Sequence, residues 1–341
     1  MKAMILKKIC SLQENSNPLE LIDLDVPVPA ADELLLKVSA CGVCHTELDE
    51  IEGRTPPPHL PIIPGHQVIG RVEAIGDNVH SFKTGDRVGV AWIYSACGRC
   101  KFCLSGHENL CASFQATGRD ANGGYAQFMV VAADFAYPIP EFFSDEEAAP
   151  LLCAGAVGYR SLHLTGLQDG QRLGLTGFGA SGHIVLKMAR YLYPNSEIYV
   201  FARNQKERAF ALELGAAWSG ATTDRAPNKL DCIIDTTPVW PPIVEALANL
   251  EPGGRLVINA IRKEGSKNSL LELDYPLHLW QEKEIKSVAN ITRNDVNEFL
   301  TLAAEMKLKP EIQIFSLEQA NTALLELKTG KIRGAKVLKI D

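Results

Sequence analysis

No apolar run in this 341-residue chain approaches the ~20 residues that a membrane-crossing helix requires. The opening Met1-Lys-Ala-Met-Ile-Leu-Lys-Lys returns to charge too soon for a secretory signal. Excess positive charge is missing as well. A net charge of −7 argues against nucleic acid or an anionic bilayer as partner, since both call for a basic face. Internal repeats and low-complexity segments are absent, which argues against a solenoid or a disordered chain. The expectation is a cytoplasmic protein of about two domains.

Cysteine, by contrast, is plentiful. The nine lie at positions 10, 41, 44, 97, 100, 103, 111, 153 and 232. Disulfides do not persist in a reducing compartment, so regular cysteine spacing there points to metal ligation or catalysis. Cys10 and Cys232 sit in apolar, strand-like settings and read as small buried hydrophobes. Cys41-Gly-Val-Cys44-His45 alone is ambiguous between a redox pair, a metal site and two unrelated core cysteines. Cys97-Gly-Arg-Cys100-Lys-Phe-Cys103 followed by Cys111 is more specific, because four thiols within fifteen residues can surround one tetrahedral ion. The spacers carry little apolar material, so the lobe could not fold by burial alone. A closed four-cysteine zinc site is expected, structural because protein fills every position; iron–sulfur is the chemical competitor.

Around these motifs the pattern changes along the chain. Short alternating runs at Leu34–Val38, Val68–Val72 and Arg87–Ala91, separated by Gly, Pro and Asp turns, predict a β-rich first domain. Pro56, Pro57, Pro58, Pro61 and Pro64 forbid regular structure before His66, which should stand on a rigid loop entering a strand. A strand-like passage spans Gly124–Val131, and Ser144-Asp-Glu-Glu147 reads as a capped helix start. From about residue 160, strands and helices alternate. The strand Arg172–Thr176, the turn Gly177-Phe178-Gly179-Ala180-Ser181-Gly182 and the helix His183–Leu192 form a dinucleotide-binding unit, with phosphate expected at the helix N-terminus. Further strands are expected at Glu197–Ala202, Asp231–Ile234, Arg255–Ile258 and Ile285–Ala289, with helices at Asn204–Leu214 and Pro241–Leu250. The tail holds helices at Val296–Met306 and Leu317–Leu327 and strands at Ile312–Phe315 and Gly334–Ile340, and should return to the first domain.

Twenty positions beyond Gly182, an acidic side chain would hydrogen-bond the ribose diol of NAD. The chain has Ala202 and then Arg203. A guanidinium without a carboxylate suits a 2′-phosphate, which favours NADP over NAD. The alternative is that Arg203 merely opens the next helix and NAD is used without that contact.

Five stretches in order carry a family resemblance: Cys-Gly-Val-Cys44-His45-Thr46, Gly65-His66 with Gly70 and Gly76, the four-cysteine lobe, Leu152-Cys153-Ala-Gly, and Gly177 to Gly182. Over essentially its whole length the chain resembles the zinc-containing alcohol dehydrogenases of the medium-chain dehydrogenase/reductase superfamily. That resemblance implies an α/β fold: a GroES-like catalytic domain at 1–155 with its zinc lobe at 95–112, a Rossmann domain at 156–292, a return to the first domain at 293–341, and an active site in the cleft. It implies two zinc ions per chain, a catalytic one on Cys44, His66 and Cys153 and a structural one on Cys97, Cys100, Cys103 and Cys111. It also implies substrate-oxygen contact and proton exit through Thr46, His45 near the cofactor pyrophosphate and Glu47 orienting His66; Arg293 is either beside the cofactor or an exposed helix-start arginine, and Trp92 either a pocket wall or a core aromatic at a strand end. A homodimer or homotetramer is implied too.

The chain departs from the family pattern at three places. Gln67 stands where Glu commonly follows the zinc histidine. Asp49 replaces a proton-relay histidine and is either part of the relay or bypassed through Thr46, the ribose and water. Gly334-Ala335 replaces a Gly-Arg that meets pyrophosphate, for which Arg333 or Lys336 could substitute. Thr55, where some relatives have Trp, leaves room for substrates longer than ethanol. The expected activity is reversible hydride transfer between NADP(H) or NAD(H) and a primary alcohol or aldehyde. The alternatives are a polyol or secondary-alcohol dehydrogenase, or a non-catalytic zinc- and nucleotide-binding protein.

Overall fold

A computed structural model describes residues 1–330 and 334–341. The chain divides into two compact units, Met1–Cys153 with Ile291–Asp341, and Ala154–Asn290.

The first unit begins with the hairpin β1 (Lys2–Leu6) and β2 (Leu19–Asp23), then the long β3 (Glu33–Val43). A short helix α1 (His45–Ile51) follows directly, and β4 (Val68–Ile75) and β5 (Arg87–Val90) continue the sheet. β6 (Ile93–Ser95) and β7 (Gln115–Ala116) pair at the base of the cysteine lobe, which contains α2 (Lys101–Leu104). β8 (Phe128–Ala132), β9 (Ala136–Pro138) and α3 (Asp145–Ala148) complete this part. The strand expected from Gly124 starts only at Phe128, because Gly124 and Tyr125 give their N–H groups to Gly65 and Pro64 and hold the His66 loop instead. Ser144 and Glu147 form the expected reciprocal cap on α3.

The second unit opens with α4 (Ala154–Thr165), then β10 (Arg172–Thr176), α5 (Ala180–Leu192), β11 (Glu197–Phe201), α6 (Gln205–Glu213) and β12 (Trp218–Gly220). β13 (Leu230–Asp235), α7 (Pro241–Leu247), β14 (Leu250–Ile258), α8 (Tyr275–His278) and β15 (Glu284–Ser287) follow. The strand order β12-β11-β10-β13-β14-β15 is parallel at every pairing, a Rossmann arrangement whose order reverses at β10. Leu173, Leu175, Val200, Ile233, Ile234, Leu256 and Val257 are all buried, as strands covered on both faces must be.

The chain then returns to the first unit through α9 (Arg293–Glu305), β16 (Ile312–Ser316), α10 (Ala320–Lys328) and β17 (Ala335–Lys339). β17 pairs antiparallel with β3, so the sheet runs β16-β17-β3-β4-β5-β9, with β8 also on β3. This is the GroES-like fold. Its core joins Leu34, Leu36, Val68 and Val88 from the sheet to Leu48 and Ile51 of α1, which fixes the helix that carries much of the site below.

Candidate active site

β3 ends at Val43, and the chain turns into α1 at Cys44, whose backbone is extended. The Cys44 Sγ accepts a hydrogen bond from the Thr46 N–H at 3.3 Å, and the Glu47 carboxylate accepts one from the Cys44 N–H at 2.8 Å. A cysteine therefore occupies the N-cap of a reciprocal capping box, and the cap fixes the thiol's direction. Gly65, at φ +98°, makes the turn that delivers His66; a Cβ there would fall 2.4 Å from the Tyr125 ring. His66 Nδ1 then lies 2.6 Å from Glu47 Oε1, both side chains buried, while Nε2 lies 3.7 Å from Cys44 Sγ. The carboxylate assigns the proton to Nδ1 and leaves Nε2 as a donor to a metal. Cys153 closes the group after the turn Ala149–Leu152.

Ligand atoms of Cys44, His66 and Cys153 all lie within 4.8 Å of one another. Sulfur and nitrogen on one tetrahedral zinc stand about 3.6 Å apart, so the Cys44–His66 spacing fits. The electrostatics agree. The neighbouring Cys153 thiol, burial and the Glu47 charge push the Cys44 thiol well above its ordinary range. Burial alone would lower His66, but Glu47 and Cys44 outweigh it and hold the imidazole well above its usual value. A divalent cation relieves both strains, because it stabilises thiolates and displaces the imidazole proton. Cys41 lies in β3, fully buried and outside this set.

The second group is Cys97, Cys100, Cys103 and Cys111, again with all ligand atoms within 4.8 Å. Cys100 Sγ is 3.5 Å and Cys97 Sγ 3.9 Å from Cys103 Sγ. Backbone N–H groups of Arg99 and Cys100 draw the Cys97 thiol well below its ordinary value, toward the thiolate that a metal needs.

In the second unit, the three glycines of the nucleotide loop have distinct surroundings. Gly177 takes φ +84°, and a Cβ there would strike Thr236 at 2.6 Å. A Cβ on Gly179 would meet nothing within 4 Å, which leaves a gap where a pyrophosphate can approach backbone. A Cβ on Gly182 would sit 2.8 Å from the Gly177 carbonyl, so the helix packs against the turn. Phe178 is buried against Phe210, while Ala180 and Ser181 form the first turn of α5. Helix α5 begins inside the motif, three residues earlier than its apolar periodicity indicates. These residues fit a dinucleotide.

Ala202 is buried at the end of β11, and Arg203 is exposed beyond it. Arg208 donates from Nη1 to the carbonyls of Ala202 and Arg203 at 2.9 and 3.2 Å, a contact that no sequence motif marks. Asp235 and Lys263 are not marked either. They form a buried ion pair at the end of β13, with Lys263 Nζ also 2.6 Å from the Thr237 carbonyl. No spacing rule links residues 28 apart, and only the sheet brings them together.

Several expected residues stand in settings that the sequence did not reveal. Asp49 is buried, and its Oδ1 accepts from Arg54 Nε at 2.9 Å and from Nη2 at 2.8 Å. Its carboxylate is thus held in an ion pair with Arg54. Arg293 binds Glu108 through its backbone N–H at 2.6 Å and its Nε at 3.3 Å, with the guanidinium 5.2 Å from the Phe135 ring centre. Lys336 is buried and its ammonium contacts Glu326 and Gln313; Arg333 lies outside the described residues. Gln67 is buried against Gly42. Trp92 packs on Phe114 at 5.2 Å and against the core. His45 is exposed and Thr46 half-buried at the start of α1.

A GroES-like sheet, a parallel dinucleotide-binding sheet and two side-chain groups that could hold a metal are features of a nucleotide-linked oxidoreductase. The comparisons sharpen this. Residues 30–141 match the alcohol dehydrogenase GroES-like domain. The chain is 44% identical over 331 residues to a probable alcohol dehydrogenase from Mycobacterium tuberculosis, covering 96% of this chain and 94% of that protein. It is 33% identical over 343 residues to an alcohol dehydrogenase from Geobacillus stearothermophilus, covering 98% and 100%. Among solved structures, a cinnamyl alcohol dehydrogenase from Sorghum bicolor superposes with a TM-score of 0.85 at 28% identity, covering 99% of this chain and 97% of the other. The chain belongs to the zinc-type alcohol dehydrogenase family of the medium-chain dehydrogenase/reductase superfamily, and it is an oxidoreductase.

Proposed function

We propose that the chain is a zinc-dependent dehydrogenase that moves hydride reversibly between NADP(H) and a primary alcohol or aldehyde. The carrying observation is the trio Cys44, His66 and Cys153, separate from the four-cysteine group. Four thiols close a site, whereas two thiols and one imidazole leave a position for substrate. Zinc, when bound there, supplies Lewis-acid polarisation of the substrate oxygen, and the nicotinamide supplies the hydride chemistry. Glu47 holds the His66 tautomer by its 2.6 Å contact with Nδ1. Thr46 hydrogen-bonds the substrate hydroxyl and takes its proton outward. The commitment of Asp49 to Arg54 favours this route over one through Asp49. The Gly177–Gly182 turn and the start of α5 take the pyrophosphate. Arg203, its loop anchored by Arg208, takes the 2′-phosphate of NADP.

The four-cysteine lobe holds the second, structural zinc. Among the described residues no helix is long and apolar enough to cross a membrane, and all nine cysteines are free, which suits a reducing cytoplasm. We place the protein there as a homo-oligomer.

Metal analysis with kinetics tests the reading. The parent should carry two zinc ions per chain, and Cys44→Ser should carry one and lose turnover. Full activity in Cys44→Ser would end the zinc mechanism. A panel of alcohols and aldehydes assayed with both cofactors should give a higher kcat/KM with NADPH than with NADH, and the reverse order would reject the role given to Arg203.

A further inference from the structure

Glu50 is the acid of α1 that the proposed mechanism leaves unused. It is 2% exposed, and neither carboxylate oxygen has a hydrogen-bond partner among the described residues. Asp49 and Glu52 on the same segment are by contrast taken up by Arg54 and Lys328. Glu50 lies three residues after Glu47, on the same side of α1, one turn beyond the carboxylate that touches His66. Burial, then the charge of Glu47, pushes the Glu50 carboxyl well above the ordinary range against the pull of His66 and Arg119, with Asp49 adding to the rise, so its charged form calls for a further positive charge nearby. Arg119 is directed to Asp120 at 3.3 Å, and its own Nε is buried without a partner.

A buried carboxylate left unpaired is among the costliest groups a core can hold. It persists where a positive charge answers it. Glu47, three residues before Glu50 on α1, contacts His66 and so ties this part of the helix to a ligand set suited to a divalent cation. A dication is the strongest charge that such a pocket could place near it.

We propose that Glu50 is a positioning residue whose negative charge, acting behind His66 and Glu47, retains the divalent cation held by Cys44, His66 and Cys153. This rests on the metal reading of those three residues. It assigns Glu50 no bond to the cation and no contact with substrate. Its effect is electrostatic, through a low-dielectric interior where water screens little.

The test is release of zinc from the loaded protein to excess EDTA, followed for each site. Glu50→Gln keeps shape and removes charge. It should lose the Cys44/His66/Cys153 zinc roughly tenfold faster or more, with the four-cysteine zinc released at the parent rate as an internal control. Glu50→Asp, which keeps the charge, should stay near the parent. Arg119→Met, which removes the competing cation, should release the same zinc more slowly, and it decides the matter if Glu50→Gln does not fold. A parent-like release rate in Glu50→Gln, or no slowing in Arg119→Met where that arm decides, overturns the inference. If Cys44→Ser still binds two zinc ions, the site reading beneath it falls instead.

Discussion

At the scale of single residues, what decides a side chain's role is which partner has already claimed it. Thr46 and Asp49 lie on one helix, and either could carry a proton by residue type. The structure pairs Asp49 with Arg54 and sets Thr46 beside Cys44, its N–H on the Cys44 sulfur. Thr46→Ala should therefore lower kcat by about two orders of magnitude or more with zinc content unchanged. Asp49→Asn should instead retain kcat within a few-fold and lower unfolding free energy by about 1–3 kcal/mol, because Arg54 keeps Glu52 and some water. Steady-state kinetics beside a denaturant titration separates the two. A collapse of kcat in Asp49→Asn would put Asp49 back in the proton path. Glu50 shows where sequence reading stops at this scale. In Glu47-Leu48-Asp49-Glu50 three acids look alike, and only folding assigns one to His66, one to Arg54 and one to neither.

Elements were legible in proportion to how far their pattern is local. Cys97, Cys100, Cys103 and Cys111 could be read as one group because their spacers are too short to let the thiols separate, and their ligand atoms do converge. The Gly177–Gly182 turn was legible because a strand and a periodic helix flank it. Helix α4 was not: Ala-Gly-Ala-Val-Gly-Tyr has little apolar periodicity, and its glycines serve packing, with a Cβ on Gly158 falling 2.9 Å from Val185 of α5. β12 spans three residues, too few for alternation to show. The Asp235–Lys263 pair belongs to this scale too, since it ties the segment after β13 to the segment after β14. Burial keeps the Asp235 carboxyl above its ordinary range despite Lys263, so the pair is costly and its partners depend on each other. Lys263→Met should destabilise the protein by about 3–5 kcal/mol, because it strands a buried acid. Adding Asp235→Leu should recover much of that loss. Thermal melts of the single and double variants check this, and simple additivity would show that the pair is not coupled.

For the whole molecule, the two sheets end differently at their edges. β15 closes the parallel sheet as an outer strand, and its four residues are all exposed. Apolar side chains gather near it in sequence: Leu271 at 85%, Tyr275 at 59%, Trp280 at 57% and Ile285 at 45% exposure. An open strand edge with exposed apolar neighbours invites aggregation unless a partner covers it. The proposed occupant is a second copy, because two identical edges can pair antiparallel about a two-fold axis, each supplying the backbone donors and acceptors that the other needs. Light scattering coupled to gel filtration should then give at least twice the chain mass. Ile285→Pro removes a backbone donor and blocks strand pairing at that position, so it should shift the population toward monomer. The cysteine lobe lies in the other compact unit, so its zinc should remain bound. An oligomer that survives Ile285→Pro unchanged would move the interface away from this edge, and a monomeric parent would remove it.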